Sequence, residues 1–199
     1  MCLALSNHEH TVNPHELEEY RELRATIRER GTARMWVFVA GLVGWAALLI
    51  ATAALAALPV ATLLPLLVLA AVFETVLALH VGVERIGRYI QVYLEDGAGW
   101  ETTAMAYGRA YRGSGDPLFG LLFIGAGVLN FVPVLIAEPV AIEVVVVGGA
   151  HLTFIARVLL ARRDAGRQRE RDVERFAQLN SAPPSHISHE GTKSRNEPH

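Results

Sequence analysis

Five polar side chains stand inside apolar stretches of this sequence, where charge is costly. The centre of a membrane span penalises a charged side chain by about 2.5 to 3.5 kcal/mol. Ionisable residues that persist there pair with one another, relay protons or mark an ion pathway. The candidate functional residues are therefore Glu74, His80, Asn130, His151 and Arg157.

Glu74 lies in the segment AAVFETVLALH, residues 70–80, and has two candidate cationic partners. Counted from the outer ends of their helices, Glu74 lies about 21 Å deep, between His151 at about 17 Å and Arg157 at about 26 Å. The two cations are six residues apart, which places them about 120° apart around one helix, so one should dominate. Without a cation, Glu74 would be protonated. In either state we expect it not to face lipid.

These residues allow two main interpretations. In the first, a paired or protonated Glu74 holds two helical hairpins in register. In the second, Glu74, His151 and His80 relay protons or cations across a membrane. His80 also shares a helix face with Glu84, but two ligands do not make a metal site, so no metal is expected.

The apolar stretches that carry these residues are too long for a soluble core. Residues 35–73 form a run of 39 positions without a charged residue or histidine, and residues 117–137 form a second run. A membrane-spanning helix needs about 20 apolar residues. The first run would make a helix of about 58 Å, too long for a hydrocarbon core of about 30 Å. Pro59 and Pro65 cannot both lie within an undisturbed helix, so the run must fold back.

The sequence therefore predicts an all-α integral membrane protein with four transmembrane helices arranged as two hairpins. The hairpins occupy residues 35–82 and 118–160, and they turn at residues 58–59 and 138–139. The four predicted spans are 35–57, 60–82, 118–137 and 140–160.

Basic residues predict the orientation of these spans. All 18 Lys and Arg residues fall into three segments, with five in residues 21–34, four in residues 85–112 and nine from residue 157 onward. Both hairpin tips have none. Because basic residues stay on the cytoplasmic side, four spans place all three segments there. We therefore expect a multi-pass protein of the cell membrane, inner or plasma, with both termini in the cytoplasm.

The segments outside the spans have their own predicted organisation. Residues 13–34 form an amphipathic helix capped by Asn13 with Pro14 in its first turn. This helix lies against the middle loop or the lipid surface, or it docks a partner. Residues 161–180 form a charged helix that extends the fourth span. Residues 1–12 and 181–199 lack apolar periodicity and are expected to be disordered.

The middle loop, residues 83–117, is predicted to be cytoplasmic and to contain interfacial helices. Aromatic rings and guanidinium groups at helical spacing suit the headgroup layer of a bilayer. The predicted interface anchors are Trp36, Trp100, Tyr107, Arg109, Tyr111 and Arg112.

No enzyme motif appears in the chain, and its single cysteine, Cys2, excludes an intramolecular disulfide. The favoured function is a non-enzymatic membrane module that assembles through its amino-terminal helix and small-residue faces, such as Ala40 with Gly44. The alternative is a small proton or cation conductor that uses Glu74 and His151; a lipid-directed enzyme is a third, weaker hypothesis. The expected partners are the bilayer and either a second copy or another membrane protein, without nucleic acid or cofactor.

Overall fold

The computed structural model describes residues 13–55, 58–95, 99–111 and 117–181, and it contains helices but no strand in these ranges. The predictions of disorder for residues 1–12 and 181–199 lie outside the described residues, except for Ser181, which is the last residue of α5. The helices are α1 (Pro14–Leu55), a short 3-10 helix (Pro59–Thr62), α2 (Leu63–Tyr93), α3 (Trp100–Ala110), α4 (Pro117–Ile136) and α5 (Ala141–Ser181).

Three of these helices, α1, α2 and α5, are long and apolar enough to cross a membrane. The described apolar part of α4, Gly120–Ile136, is shorter. With 42, 31 and 41 residues, the three long helices reach about 63, 46 and 61 Å, so each exceeds a hydrocarbon core of about 30 Å. All three therefore extend well beyond their apolar segments.

The amino-terminal helix is continuous with the first apolar segment, so the predicted helix over residues 13–34 forms the first half of α1. Its start agrees with the capping pattern, because Asn13 Oδ1 accepts a hydrogen bond from the backbone N–H of His15 over 3.2 Å. Between residues 13 and 55 the only helix-weakening residues are isolated glycines such as Gly31. One glycine costs a helix about 1 kcal/mol, which is too little to end it.

The turn between α1 and α2 explains how two prolines fit into one apolar run. Pro59 begins the 3-10 helix, and Pro65 occupies the first turn of α2. The first N–H groups of a helix have no partner within it, so proline loses no hydrogen bond there. The helices then pack closely, and a Cβ atom at Gly41 of α1 would overlap the side chain of Val72 of α2.

One apolar core joins α1, α2, α4 and α5. Phe123 of α4 packs edge-to-face against Phe38 of α1, with ring centroids 5.7 Å apart, and against Phe73 of α2, at 5.1 Å. Phe73 also meets Phe154 of α5 at 6.2 Å. Edge-to-face pairs at such distances add to the energy of burial. The four helices are thus one bundle with a shared aromatic centre.

The bundle continues beyond the apolar segments. Tyr89 of α2 donates a hydrogen bond to Glu19 of α1 over 2.7 Å, and its ring packs edge-to-face on Phe176 of α5. Arg24 of α1 forms an ion pair with Glu101 of α3 at 2.7 Å. The amino-terminal half of α1 is therefore held by α2 and by a helix of the middle loop.

Candidate functional site

A buried hydrogen-bond network connects α1, α4 and α5 with the 3-10 helix that precedes α2, and the amide of Asn130 lies at its centre. Asn130 is fully buried in α4. Its Oδ1 atom accepts a hydrogen bond from Trp45 Nε1 over 3.1 Å, and its Nδ2 atom donates to the carbonyl of Thr62 over 2.9 Å. The same Nδ2 lies 2.9 Å from His151 Nε2. Three other elements therefore meet at one side chain of α4.

The contacts of His151 determine which of its ring nitrogens carries the proton. Its Nδ1 atom lies 2.8 Å from the carbonyl oxygen of Val147, which can only accept a hydrogen bond. Nδ1 is therefore the donor, and Nε2 accepts from Asn130 in a neutral imidazole. The Nδ2 atom of Asn130 donates to both Thr62 and His151. Hydrogen-bond partners are therefore present for the Asn130 amide, for the Trp45 indole N–H and for both ring nitrogens of His151. A buried network without an open donor or acceptor stabilises packing.

The second polar site is an ion pair between Glu74 of α2 and Arg157 of α5. Arg157 Nη2 donates to Glu74 Oε2 over 2.8 Å, and Arg157 Nε lies 2.8 Å from Glu74 Oε1. This two-point geometry is the strongest form of a guanidinium-carboxylate contact. Of the two cations that the sequence offered Glu74, the structure selects Arg157.

The surface position of this ion pair differs from the expectation. The side chain of Arg157 is 46% exposed and that of Glu74 is 49% exposed. Both lie on the outside of the bundle, on the surface that lipid would cover, although we expected Glu74 not to face lipid.

Helical periodicity explains why His151 lies inside and Arg157 outside. The buried positions of α5 recur at steps of three and four residues, at Val147, His151, Phe154, Val158 and Ala161. Arg157 falls next to this stripe and not within it. Glu74 likewise directly follows Phe73, which belongs to the buried stripe of α2. The two ionisable groups therefore meet at the edge of the contact between α2 and α5.

His151 and Glu74 have no common partner among the described residues. His151 contacts Asn130 and Val147, whereas Glu74 contacts Arg157. Of the predicted relay, His151 therefore lies in a closed interior network and Glu74 in an exposed ion pair.

His80, the remaining candidate, lies near a group of charges where the apolar segments end. Its Nδ1 atom is 2.9 Å from Arg34 Nη1 of α1. One turn further along α2, Glu84 accepts from Arg88 over 2.9 Å and pairs with Arg169 of α5 at 2.8 Å. These alternating charges connect α1, α2 and α5. In the described ranges, no three His, Cys, Asp or Glu side chains are placed to hold a metal ion.

The predicted interface anchors lie mainly on α3. Trp100, Tyr107 and Tyr111 are exposed, and the two tyrosine rings lie 4.7 Å apart. Trp36 on α1 is also exposed. Arg109 belongs to α3 but its side chain is not described, and Arg112 lies outside the described residues.

Glu95 stabilises the start of α3. Its carboxylate accepts hydrogen bonds from the backbone N–H groups of Glu101 and Thr102, each over 2.9 Å. Burial opposes ionisation of Glu95, but these N–H groups, the Thr102 hydroxyl and the charge of Arg24 outweigh it and lower the pKa of the carboxyl. The short helix is thereby tied to α2 and α1.

One polar contact was missed by reasoning from sequence. Trp45 was not among the candidate residues, yet its indole N–H is a donor to Asn130. The available signal was that an indole N–H and an amide in apolar helices both need partners. Gly44, assigned to a packing face with Ala40, has no atom near enough to meet an added Cβ. That face of α1 is exposed.

No protein-family model matches the chain, and comparisons with curated proteins and with solved structures give no match.

Proposed function

We propose that this chain is a four-span module of the cell membrane whose role is non-enzymatic assembly within the bilayer. Its assembly face is the surface of α2 and α5 that carries Glu74 and Arg157. The fourth span would be α4, in addition to α1, α2 and α5. This helix has 20 residues and no charged side chain. Its length is about 30 Å, the thickness of a hydrocarbon core. An even number of spans keeps all basic segments and both termini in the cytoplasm.

The observation that carries this proposal is the exposure of a two-point ion pair within apolar helices. Glu74 precedes the charged end of α2, which begins at His80, by six residues, or about 9 Å of helix. Hydrocarbon chains offer neither donors nor acceptors, so an exposed ion pair at this depth is costly. A protein surface that covers the pair removes it from lipid and adds polar contacts.

Small side chains lie beside the pair and support the same proposal, although the larger Leu160 is also exposed one turn from Arg157. The exposed small residues near the pair on α2 and α5 are Ala71, Thr75, Ala78, Gly149, Thr153 and Ala156. The two threonine hydroxyls donate to carbonyls of their own helices, each over 2.8 Å. Small residues let helices approach closely in a bilayer, and close approach is the main source of helix association there. Another helix can therefore lie near the ion pair.

The other functions receive less support from the contacts. A conductor that uses Glu74 and His151 needs a connected chain of donors and acceptors, and the described contacts of these two residues are separate. Assembly through the amino-terminal helix competes with contacts that the helix already makes, since Glu19 and Arg24 bind Tyr89 and Glu101.

Site-specific photo-crosslinking in native membranes tests the proposal. A photoreactive side chain at Ala78, one turn from Glu74, should yield crosslinks to protein. The matched control is Ala47 of α1, an exposed alanine in another apolar helix. Ala78→Trp should also reduce the mass of the complex isolated in mild detergent, whereas Ala47→Trp should leave it unchanged. Protein crosslinks from Ala47 alone, or from neither position, would contradict assembly through the α2–α5 face.

A further inference from the structure

We infer that the protein that covers Glu74 and Arg157 is a second copy of this chain, related by a two-fold axis along the membrane normal. This inference rests on the proposed function and adds the identity of the partner. The first observation is that the opposite charges of Glu74 and Arg157 on the α2–α5 face cancel within one copy.

The guanidinium of Arg157 retains hydrogen-bonding capacity. Its Nε and Nη2 atoms contact Glu74, while Nη1 makes no hydrogen bond to the residues that the structure describes. A guanidinium has five N–H donors, and each carboxylate oxygen can accept more than one hydrogen bond. The pair can therefore accept a second carboxylate and a second guanidinium without losing its own contacts.

A two-fold axis brings these complementary groups together. In a symmetric dimer, a contact from residue i to residue j is repeated from j to i. Arg157 would face Glu74 of the partner subunit, and Glu74 would face the partner's Arg157. The four charges then alternate, so each has an opposite charge on both sides. A partner with an apolar surface would bury the pair and leave Nη1 unsatisfied, which is unfavourable in hydrocarbon.

The orientation in the membrane favours the same arrangement. Basic segments give every copy the same direction of insertion. Two copies with the same direction can be related only by an axis along the membrane normal, and such an axis preserves depth. Glu74 and Arg157 in the two copies therefore lie at the same level. The small residues Thr75 and Gly149 let the helices come close enough for contact.

The test is charge exchange between two differently tagged copies expressed together. Glu74→Arg gives one copy two arginines on the face, and Arg157→Glu gives the other two carboxylates. Each variant alone should show at least about a tenfold loss of self-association, because like charges meet across the axis. Together, the two variants should co-purify at close to the level of the unchanged chain. Failure of the mixed pair to associate, when both variants are folded, overturns the two-fold arrangement.

Cysteine crosslinking keeps the inference testable if the exchanged variants do not fold. In a Cys2→Ser background, the single substitutions Thr75→Cys and Ala78→Cys should give a disulfide-linked dimer under mild oxidation in membranes. Ala47→Cys, on the exposed face of α1, is the matched control and should remain monomeric. No dimer from either position on the α2–α5 face overturns the inference.

The photo-crosslinks from Ala78 separate this inference from the proposed function. Crosslinked products with the mass of two copies of the chain support both the proposed function and the second copy as the partner. Products with a different protein overturn the second copy and leave assembly in place. Crosslinks to lipid alone overturn both, since lipid headgroups would then be the groups that cover the pair.

Discussion

Asn130 donates a hydrogen bond to His151 over 2.9 Å and so joins α4 to α5 inside the bundle. The same amide binds the indole of Trp45 and the carbonyl of Thr62. This interior network is closed, whereas the ion pair of Glu74 and Arg157 is half-exposed. The polar groups of the apolar segments thus divide into an interior set that holds the helices together and an exterior set available to a partner.

Replacing Asn130 with leucine should destabilise the bundle. The change leaves the Trp45 N–H, the Thr62 carbonyl and His151 Nε2 without their common partner. We expect a loss of about 1 to 3 kcal/mol, the cost of leaving buried polar groups unsatisfied. Unfolding in mixed micelles measures the loss. Thr52→Val, which removes a hydroxyl that binds only its own helix, should change stability by less than half as much. Equal losses in the two variants would contradict a structural role for the network.

Two glycines of α1 should respond in opposite ways to alanine. Gly41→Ala places a methyl group against Val72, and we expect a loss of about 1 to 3 kcal/mol from overpacking. Gly44→Ala meets no atom, so the helix should gain about 0.5 to 1 kcal/mol from the removal of glycine. Thermal unfolding in detergent compares the two. A destabilised Gly44→Ala variant would mean that this face packs against something other than the bundle.

Removing the carboxylate of Glu95 should release α3. Glu95→Ala deletes the acceptor for two N–H groups at the start of the helix, which costs about 1 kcal/mol. Hydrogen exchange of residues 99–111 should accelerate by about fivefold, while exchange in α4 should stay constant. An unchanged rate in α3 would show that the contact of Arg24 with Glu101 is sufficient to hold it.

The attachment of α3 should also depend on pH. Because the pKa of Glu95 is lowered in the folded chain, its contribution is fully present above the ordinary value of 4.5. The contribution is lost as the pH falls through the lower, folded pKa. Exchange in α3, corrected for its intrinsic pH dependence, should therefore rise below about pH 4.5 in the unchanged chain. The rise should be smaller in Glu95→Gln, whose side chain at position 95 cannot titrate.

The contact between Tyr89 and Glu19 should hold the amino-terminal half of α1. Tyr89→Phe removes a hydrogen bond of 2.7 Å to a carboxylate, and we expect a loss of about 0.5 to 1.5 kcal/mol. Limited proteolysis within residues 14–30 should become faster. The matched control is Tyr93→Phe. The Tyr93 hydroxyl lies 3.4 Å from its acceptor, the Phe176 carbonyl, so removing this long hydrogen bond should cost little stability. Equal proteolysis of both variants would argue against this anchor.

Several features of the fold could be predicted from short stretches of the sequence. The length of the apolar runs predicted helices able to cross a membrane, and three helices meet that description. The two prolines predicted a break in the first apolar run, and α1 ends before them, because the restriction that proline imposes acts on the backbone next to its ring. Asn13 and Pro14 predicted the start of α1 for the same reason. The number of spans and their orientation, which depend on the membrane itself, stay predictions.

The choice between His151 and Arg157 as the partner of Glu74 was decided only by tertiary structure. Sequence placed all three residues at similar depth, since depth follows from the rise per residue. It did not specify the rotation of α5 against α2, which turns His151 toward Asn130 and Arg157 toward Glu74. That rotation results from the packing of Phe73, Phe123 and Phe154, residues far apart in the chain. Position along a helix is a local property of the sequence, whereas the direction in which a side chain points depends on every helix packed around it.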